Sequence, residues 1–334
     1  MKKILLLPLL VIFIYGEGKF SGVTYFDYTY DLTKQTGDYN AFDLKRVYFT
    51  YQQDISDKIS YKFQTDVGQL KIDNVDVDDG DVLVSTDKTQ FVAYLKKAQL
   101  DWKTSYGKLI FGMQGMNMFN VTEKTWGFRF LQKSAMDKYK FSSSADLGVG
   151  FHYVMIGYNG LNLYSSVLMT NGTGYKKNED DKHKKISAQF VYGEKKLVKK
   201  DGFNIGFSFS TEQYDLNENN TEDKIVTSFY TGYAKNRLRI GGELDFYKDS
   251  GDNTTKQIIA GYASYKLSDN LEGLVYFDMY DPNTSADKDG NTDLIVGLNY
   301  KPAKGLTMTP NIRISTPDEG DGTTIFMMNF EFKF

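Results

Sequence analysis

The chain has 334 residues, with 40 Lys and Arg against 43 Asp and Glu, for a net charge of −3. That balance excludes the basic footprint of a nucleic-acid binder, and 41% hydrophobic with 15% aromatic residues excludes a disordered chain. With no Cys and only two His, disulfides, thiolate metal sites and most His-based chemistry are excluded too, and no cofactor or metal ion is expected.

The chain opens on Lys2 and Lys3, an apolar run from Ile4 to Ile14, and a small-x-small site at Gly16-Glu17-Gly18. This is the pattern of a secretory signal peptide over 1–18. Its removal takes away Lys2, Lys3 and Glu17 and makes the net charge one unit more negative. Residues 19–334 show no composition break and read as one domain. No later stretch approaches the roughly 18 apolar residues of a membrane helix.

From Lys19 onward the pattern has period two, the spacing at which strand side chains share a face. Strands are expected at 19–30, 41–53, 57–68, 91–103, 105–113, 145–156, 160–170 and 185–194. Further strands follow at 202–211, 224–234, 236–247, 256–267, 270–280, 292–301, 304–315 and 323–334. The last is the clearest: Phe326, Met328, Phe330, Phe332 and Phe334 oppose Met327, Asn329, Glu331 and Lys333. In 57–68, Ile59, Tyr61, Phe63, Thr65 and Val67 oppose Lys58, Ser60, Lys62, Gln64 and Asp66.

Most of these segments have the roughly 9–11 residues needed to cross a bilayer at a tilt, longer than the roughly 5–6 of globular strands. Short connections such as Lys235-Asn236 and Ser268-Asp269-Asn270 alternate with long ones near 31–40, 69–90, 114–144, 171–184, 212–223, 248–255, 281–291 and 316–322. The expected fold is all-β: a transmembrane antiparallel β-barrel of about 16 strands, with short periplasmic turns and longer extracellular loops. Its apolar face would meet outer-membrane lipid. An exported β-sandwich is the competing architecture, since its strands also alternate.

The connection 114–144 carries Phe119, Trp126, Phe128, Phe130, Leu131 and Met136, too apolar a set to stand free in water. Folding inward would bury them and narrow the barrel; a loop capping the mouth or a neighbouring subunit is the alternative. Its charges are Glu123, Lys124, Arg129, Lys133, Asp137, Lys138 and Lys140, five cations and two acids. Arg occurs only five times, and Arg46, Arg237, Arg239 and Arg313 fall on polar strand faces. Such residues could attract anions, because the guanidinium is a permanent planar donor fork. They could equally pair with inward acids such as Glu243, Asp245, Glu272, Asp278 and Glu331. The candidate lining of a constricted lumen is therefore Arg46, Lys62, Glu123, Lys124, Arg129, Lys133, Arg237, Arg239, Glu243, Asp245, Glu272, Asp278 and Arg313.

The Asp-rich stretches 69–90 and 281–291 lack the spacing of a calcium loop and read as solvated turns. His152 and His183 have no accompanying hydrolase pattern, so no catalytic role is expected. A non-conducting adhesin or scaffold, or less readily an outer-membrane hydrolase, is the alternative to a channel.

Two stretches carry a resemblance. Phe42-Asp43-Leu44-Lys45-Arg46-Val47-Tyr48 and Asp146-Leu147-Gly148-Val149-Gly150-Phe151, the latter followed by Tyr164 and Asn171-Gly172-Thr173-Gly174, are similar to segments of the phosphate-selective porin family. The aromatic ending Phe332-Lys333-Phe334 resembles the last strand of bacterial outer-membrane porins generally. The resemblance implies a 16-stranded, trimeric diffusion channel for small hydrophilic solutes or inorganic ions. That family's dense basic ladder is not matched by five Arg in an acidic chain, so phosphate selectivity is not implied. A weak preference for anions is expected from the charge of the 114–144 connection.

Overall fold

The computed structural model describes residues 17–33, 40–72, 88–157, 161–179, 181–218 and 220–334. Sixteen strands form one closed antiparallel barrel in which each strand pairs with its sequence neighbours and β1 closes on β16. The strands are β1 (Lys19–Asp31), β2 (Asn40–Asp54), β3 (Ile59–Ile72), β4 (Lys88–Lys103), β5 (Lys108–Gly115), β6 (Ala145–Ile156), β7 (Asn162–Thr170) and β8 (Lys185–Gly193). They continue with β9 (Gly202–Asn217), β10 (Asn220–Lys235), β11 (Leu238–Asp249), β12 (Thr254–Lys266), β13 (Leu271–Asp281), β14 (Asn291–Ala303), β15 (Leu306–Pro317) and β16 (Thr323–Lys333). Between β5 and β6 lie two short helices, α1 (Thr122–Trp126) and α2 (Ala135–Lys138).

Closure satisfies the ladder all round, which a sheet surrounded by lipid requires because unpaired backbone groups there cost several kcal/mol each. The seam runs from Val23 opposite Lys333 to Asp31 opposite Ile325. Phe26 stacks on Phe330 across it, ring centroids 4.4 Å apart. The alternation separates the two surfaces as the sequence implies. On β16, Met327, Asn329 and Glu331 are buried inside, while Phe332 and Phe334 are exposed outside. Val149, Val167, Phe190, Phe229, Val275 and Val296 are likewise exposed on the outer face.

One connection differs from expectation. The segment 212–223 is not a long loop: β9 runs to Asn217 and β10 starts at Asn220, with Thr221 opposite Asp215. Polar residues occupy both faces of this extension, so hydrophobic alternation could not reveal it. In the same way β3 reaches Ile72 and β4 begins at Lys88. Asp73, Asp76, Asp78, Asp79, Asp81 and Asp87 lie outside the described residues, as does the expected signal peptide up to residue 16.

Two β-bulges interrupt the ladder on neighbouring walls. Tyr25 faces Arg46 while Phe26 faces Leu44, leaving Lys45 as the extra residue of β2. Gln64 faces Lys97 while Thr65 faces Leu95, leaving Lys96 as the extra residue of β4. A bulge sets two consecutive residues against one and re-aims side chains.

Candidate functional site: the lumen and its inward loop

The connection between β5 and β6 folds back into the barrel. The wall that receives it breaks the rule that inward positions are polar. Val226, Ile258, Ala260, Tyr262, Leu274, Tyr276 and Ile295 point inward from β10 to β14 and are buried. Met118, Phe119, Met136 and Phe141 pack on Val226, Ile258 and Ala260. Trp126, Phe128, Phe130 and Leu131 pack on Tyr262, Leu274, Tyr276 and Ile295. Trp126 is 1% exposed, its ring 5.1 Å from Tyr276 and 5.0 Å from Phe128. Burying apolar area is worth roughly 25 cal/mol per Å², so this apolar contact is what holds the loop down.

Polar ties fix its position. α1 ends at Gly127 with φ of 81°, and its amide donates to the Glu123 carbonyl at 2.9 Å. A Cβ there would strike Val198 at 2.6 Å, so both the turn and the close approach call for glycine. Arg313 donates from Nη2 to the Leu131 carbonyl at 2.6 Å and from Nη1 to Gln132 Oε1 at 3.1 Å. Arg239 donates to the Trp126 carbonyl at 3.2 Å, pairs with Glu272 at 3.3 Å, and lies over the Phe128 ring. Asn117 donates to the Ser166 carbonyl at 3.2 Å. Lys138 pairs with Asp278 at 2.9 Å and with Asp293, and the Tyr139 hydroxyl donates to Asp278 at 2.6 Å.

These contacts redistribute the candidate lining residues. Arg239 and Arg313 grip the loop backbone. Glu272 and Asp278 are occupied by Arg239 and Lys138. Glu243 and Asp245 are 5% and 0% exposed, enclosed between β11 and the loop, and so do not line open lumen. Arg237 is corrected outright: it sits in the exposed hairpin turn between β10 and β11, because β11 begins two residues later than expected. Glu123 and Asp137 both pair with Arg129, the latter at 2.9 Å. Burial opposes the Arg129 charge, but Glu123, Tyr48 and Asp137 outweigh it and hold its pKa well above the usual arginine value. Lys133 lies 4.0 Å from Asp137.

Opposite the loop the bulges act. Lys45 and Arg46 both turn inward, Lys45 onto Asp43 at 2.6 Å and Arg46 onto Asp66 at 2.8 Å. Lys96 lies 3.4 Å from the same Asp66, which is 0% exposed, and 4.7 Å from the centre of the Tyr48 ring. Asp66 also accepts the Tyr175 hydroxyl at 2.5 Å, drawing the β7–β8 connection into the mouth. Lys97 lies in the field of Lys62, Lys96 and Lys124. Towards the short-turn end, Lys108 pairs with Asp101 at 2.7 Å, near Lys62. Burial, then Lys196, lowers the Lys124 pKa; burial, then Lys124 and Lys108, pulls that of Lys195 down to about 8. Lys62 and Lys97 of this wall thus face Lys124 of α1 and Lys195 of the β8–β9 connection, and none of the four has an ion pair among the described residues.

Sequence reasoning missed Lys45, Lys96, Lys97, Asp66 and Tyr175. Adjacent cations at 45–46 and 96–97 are a readable sign of a bulge, since strict alternation would push one of each pair into lipid. The motif at Asp146-Leu147-Gly148 has an architectural reason. Asp146 accepts the Gly172 amide at 2.6 Å and that of Leu147 at 2.8 Å, stapling the start of β6 to the Asn171–Gly174 turn. The two histidines stand apart: His183 Nε2 is 2.8 Å from Asp215 near the loop end, and His152 lies on β6 among Lys108 and Lys195.

No protein-family model matches the chain, and no curated protein matches its sequence. Solved structures match its fold. Salmonella typhi OmpF in complex with daunomycin is 12% identical, with a TM-score of 0.65 over 95% of this chain and 97% of that one. The anion-selective porin from Comamonas acidovorans is 11% identical, with a TM-score of 0.63 over 95% and 99%. The trimer form of OmpT, an outer membrane protein of Vibrio cholerae, is 14% identical, with a TM-score of 0.61 over 95% and 99%. The barrel architecture is therefore that of outer-membrane porins and channels.

Proposed function

We propose that the protein is an outer-membrane porin through which small hydrophilic solutes and ions diffuse passively, with a weak preference for anions. The observation that carries the preference is the pair of bulges that set Lys45-Arg46 and Lys96-Lys97 inward, facing a loop whose own acids are taken up by Arg129. A narrow passage with low-dielectric walls focuses the field of nearby charges, so the surplus these four cations keep over Asp27, Asp43 and Asp66 outweighs acids in outer loops, which salt screens over about 8–10 Å. The inward segment 116–144 is the constriction in this reading. The signal sequence over 1–18 supports export, the apolar outer face supports a lipid setting, and the trimer form of one structural likeness, the Vibrio cholerae OmpT, supports a homotrimer. The motifs at Phe42–Tyr48 and Asp146–Phe151 support kinship with phosphate-selective porins in architecture rather than in selectivity. Catalysis has no part in this reading.

The test is single-channel recording in planar bilayers under a potassium chloride gradient. Stable conductance steps with a reversal potential displaced toward that of chloride are expected. Cation-displaced potentials would remove the anion preference and leave a porin; the absence of any conductance from folded protein would favour a scaffold or adhesin.

A further inference from the structure

We propose that the wide space at the long-loop end of the lumen binds an organic anion bearing a flat ring, of the kind a nucleoside monophosphate exemplifies, before it enters the constriction. This rests on the channel reading and narrows its solute class. The space lies between the 140–144 segment, the 172–177 segment and the inner faces of β8 to β11, and measures about 610 Å³. That falls within the roughly 300–1,000 Å³ of small-molecule sites. It is far roomier than a bare oxyanion needs, so its cations cannot all close on inorganic phosphate.

Charge and ring chemistry converge there. Eight Lys and Arg line the space against two acids, Asp137 and Glu212. Both acids are committed, Asp137 to Arg129 at 2.9 Å and Glu212 to Lys185 at 3.3 Å. Lys140, Lys176, Lys177 and Lys224 form no ion pair among the described residues. Three rings, Phe141, Tyr175 and Tyr247, share the lining. Cations already sit over rings around it: Lys176 lies 4.7 Å from the centre of Tyr94, Lys224 4.0 Å from that of Tyr214, and Lys256 5.2 Å from that of Tyr247. A flat π-system with an attached phosphate meets stacking faces and charge-assisted donors together. The floor is Arg46, Arg129 and Lys133, which also border the narrower space beneath. A ligand held here stands over the constriction and reduces the current. Burial, then Arg46, lowers the Lys176 pKa, a crowding that a bound anion relieves.

The experiment titrates adenosine 5′-monophosphate, ribose 5-phosphate, inorganic phosphate and adenosine into bilayer recordings from the long-loop side. Equilibrium dialysis of the detergent-solubilised protein against the same four compounds runs in parallel. Adenosine monophosphate should half-block at a concentration about tenfold below that of phosphate or ribose phosphate, with adenosine inert, and the combined Lys176→Gln and Lys177→Gln change should weaken its binding by about tenfold. Equal potency of phosphate and adenosine monophosphate overturns the ring component. Binding of adenosine alone overturns the anionic one. Dialysis showing no adenosine monophosphate bound overturns the site even where the channel conducts. A protein that binds it in dialysis yet carries no current keeps the site and refutes the channel.

Discussion

Three donors converge on the Asp66 carboxylate: Arg46 at 2.8 Å, Lys96 at 3.4 Å and the Tyr175 hydroxyl at 2.5 Å. Removing one partner of a buried ion pair strands the others at a cost of about 3–5 kcal/mol. Asp66→Ala should therefore lower the thermal unfolding midpoint of the barrel and, in bilayers, displace the reversal potential further toward chloride. An unchanged potential would mean that Arg46 and Lys96 do not face the permeation path. Lys195 gives the opposite lever. Its pKa is pulled down to about 8, first by burial and then by Lys124 and Lys108. The charged form prevails below that value and is lost as pH rises through it, so the anion preference should fall between about pH 7 and 9. Lys195→Gln should flatten that part of the profile; a profile of identical shape in the variant would assign the titration to another group.

At the level of elements, the barrel wall and the inward loop answer to different tests. Val296 is exposed on the outer face of β14. A lysine there should cost about 2–4 kcal/mol near the bilayer midplane and reduce the yield of folded protein. Ser315→Lys, on the inner face of β15 beside Asp293, should assemble normally. Asn329, also inward, differs from Ser315 in being 2% exposed and accepting hydrogen bonds from Asn311 and Arg313. Trp126→Ala should loosen the loop by about 3–5 kcal/mol, giving noisier and larger conductance steps from a barrel that still shows heat-modifiable mobility on gels. Quiet steps of unchanged size would place the segment outside the path. The strands were legible because Phe, Tyr, Val and Ile recur at every second position. The bulges were not, because one extra residue resets that period locally. The docking wall was legible in principle, since Val226, Ile258, Leu274, Tyr276 and Ile295 fall at inward positions where polar residues are the rule.

On the scale of the whole molecule, closure is carried by the two ends of the barrel sequence. Phe334 donates its amide to the Gly22 carbonyl at 3.2 Å and accepts the Gly22 amide at 3.1 Å. Deleting Phe332–Phe334 should abolish folded barrel in membrane fractions, with no compact band before heating; a normal band would show that the seam tolerates a shortened β16. The number of strands could be read from the chain because bilayer thickness sets strand length. The charge pattern of the lumen could not. Lys138 and Asp278 neutralise one another only once the 116–144 segment has folded against a strand more than a hundred residues downstream, and Arg239 meets Glu272 only once β11 and β13 stand in one wall. Sequence spacing does not specify such pairings.

The dry contact between the inward loop and the β10–β14 wall also gives the passage a thermal character. Apolar burial near room temperature is driven by entropy and carries a heat-capacity change, so it weakens on cooling. The ladder of the barrel and its lipid belt do not share that dependence to the same degree. Cooling should loosen the loop before it loosens the wall. Recordings taken at decreasing temperature, corrected for the viscosity of water, should therefore show growing current fluctuations in the native protein, and Trp126→Ala should show them already at the warmest point.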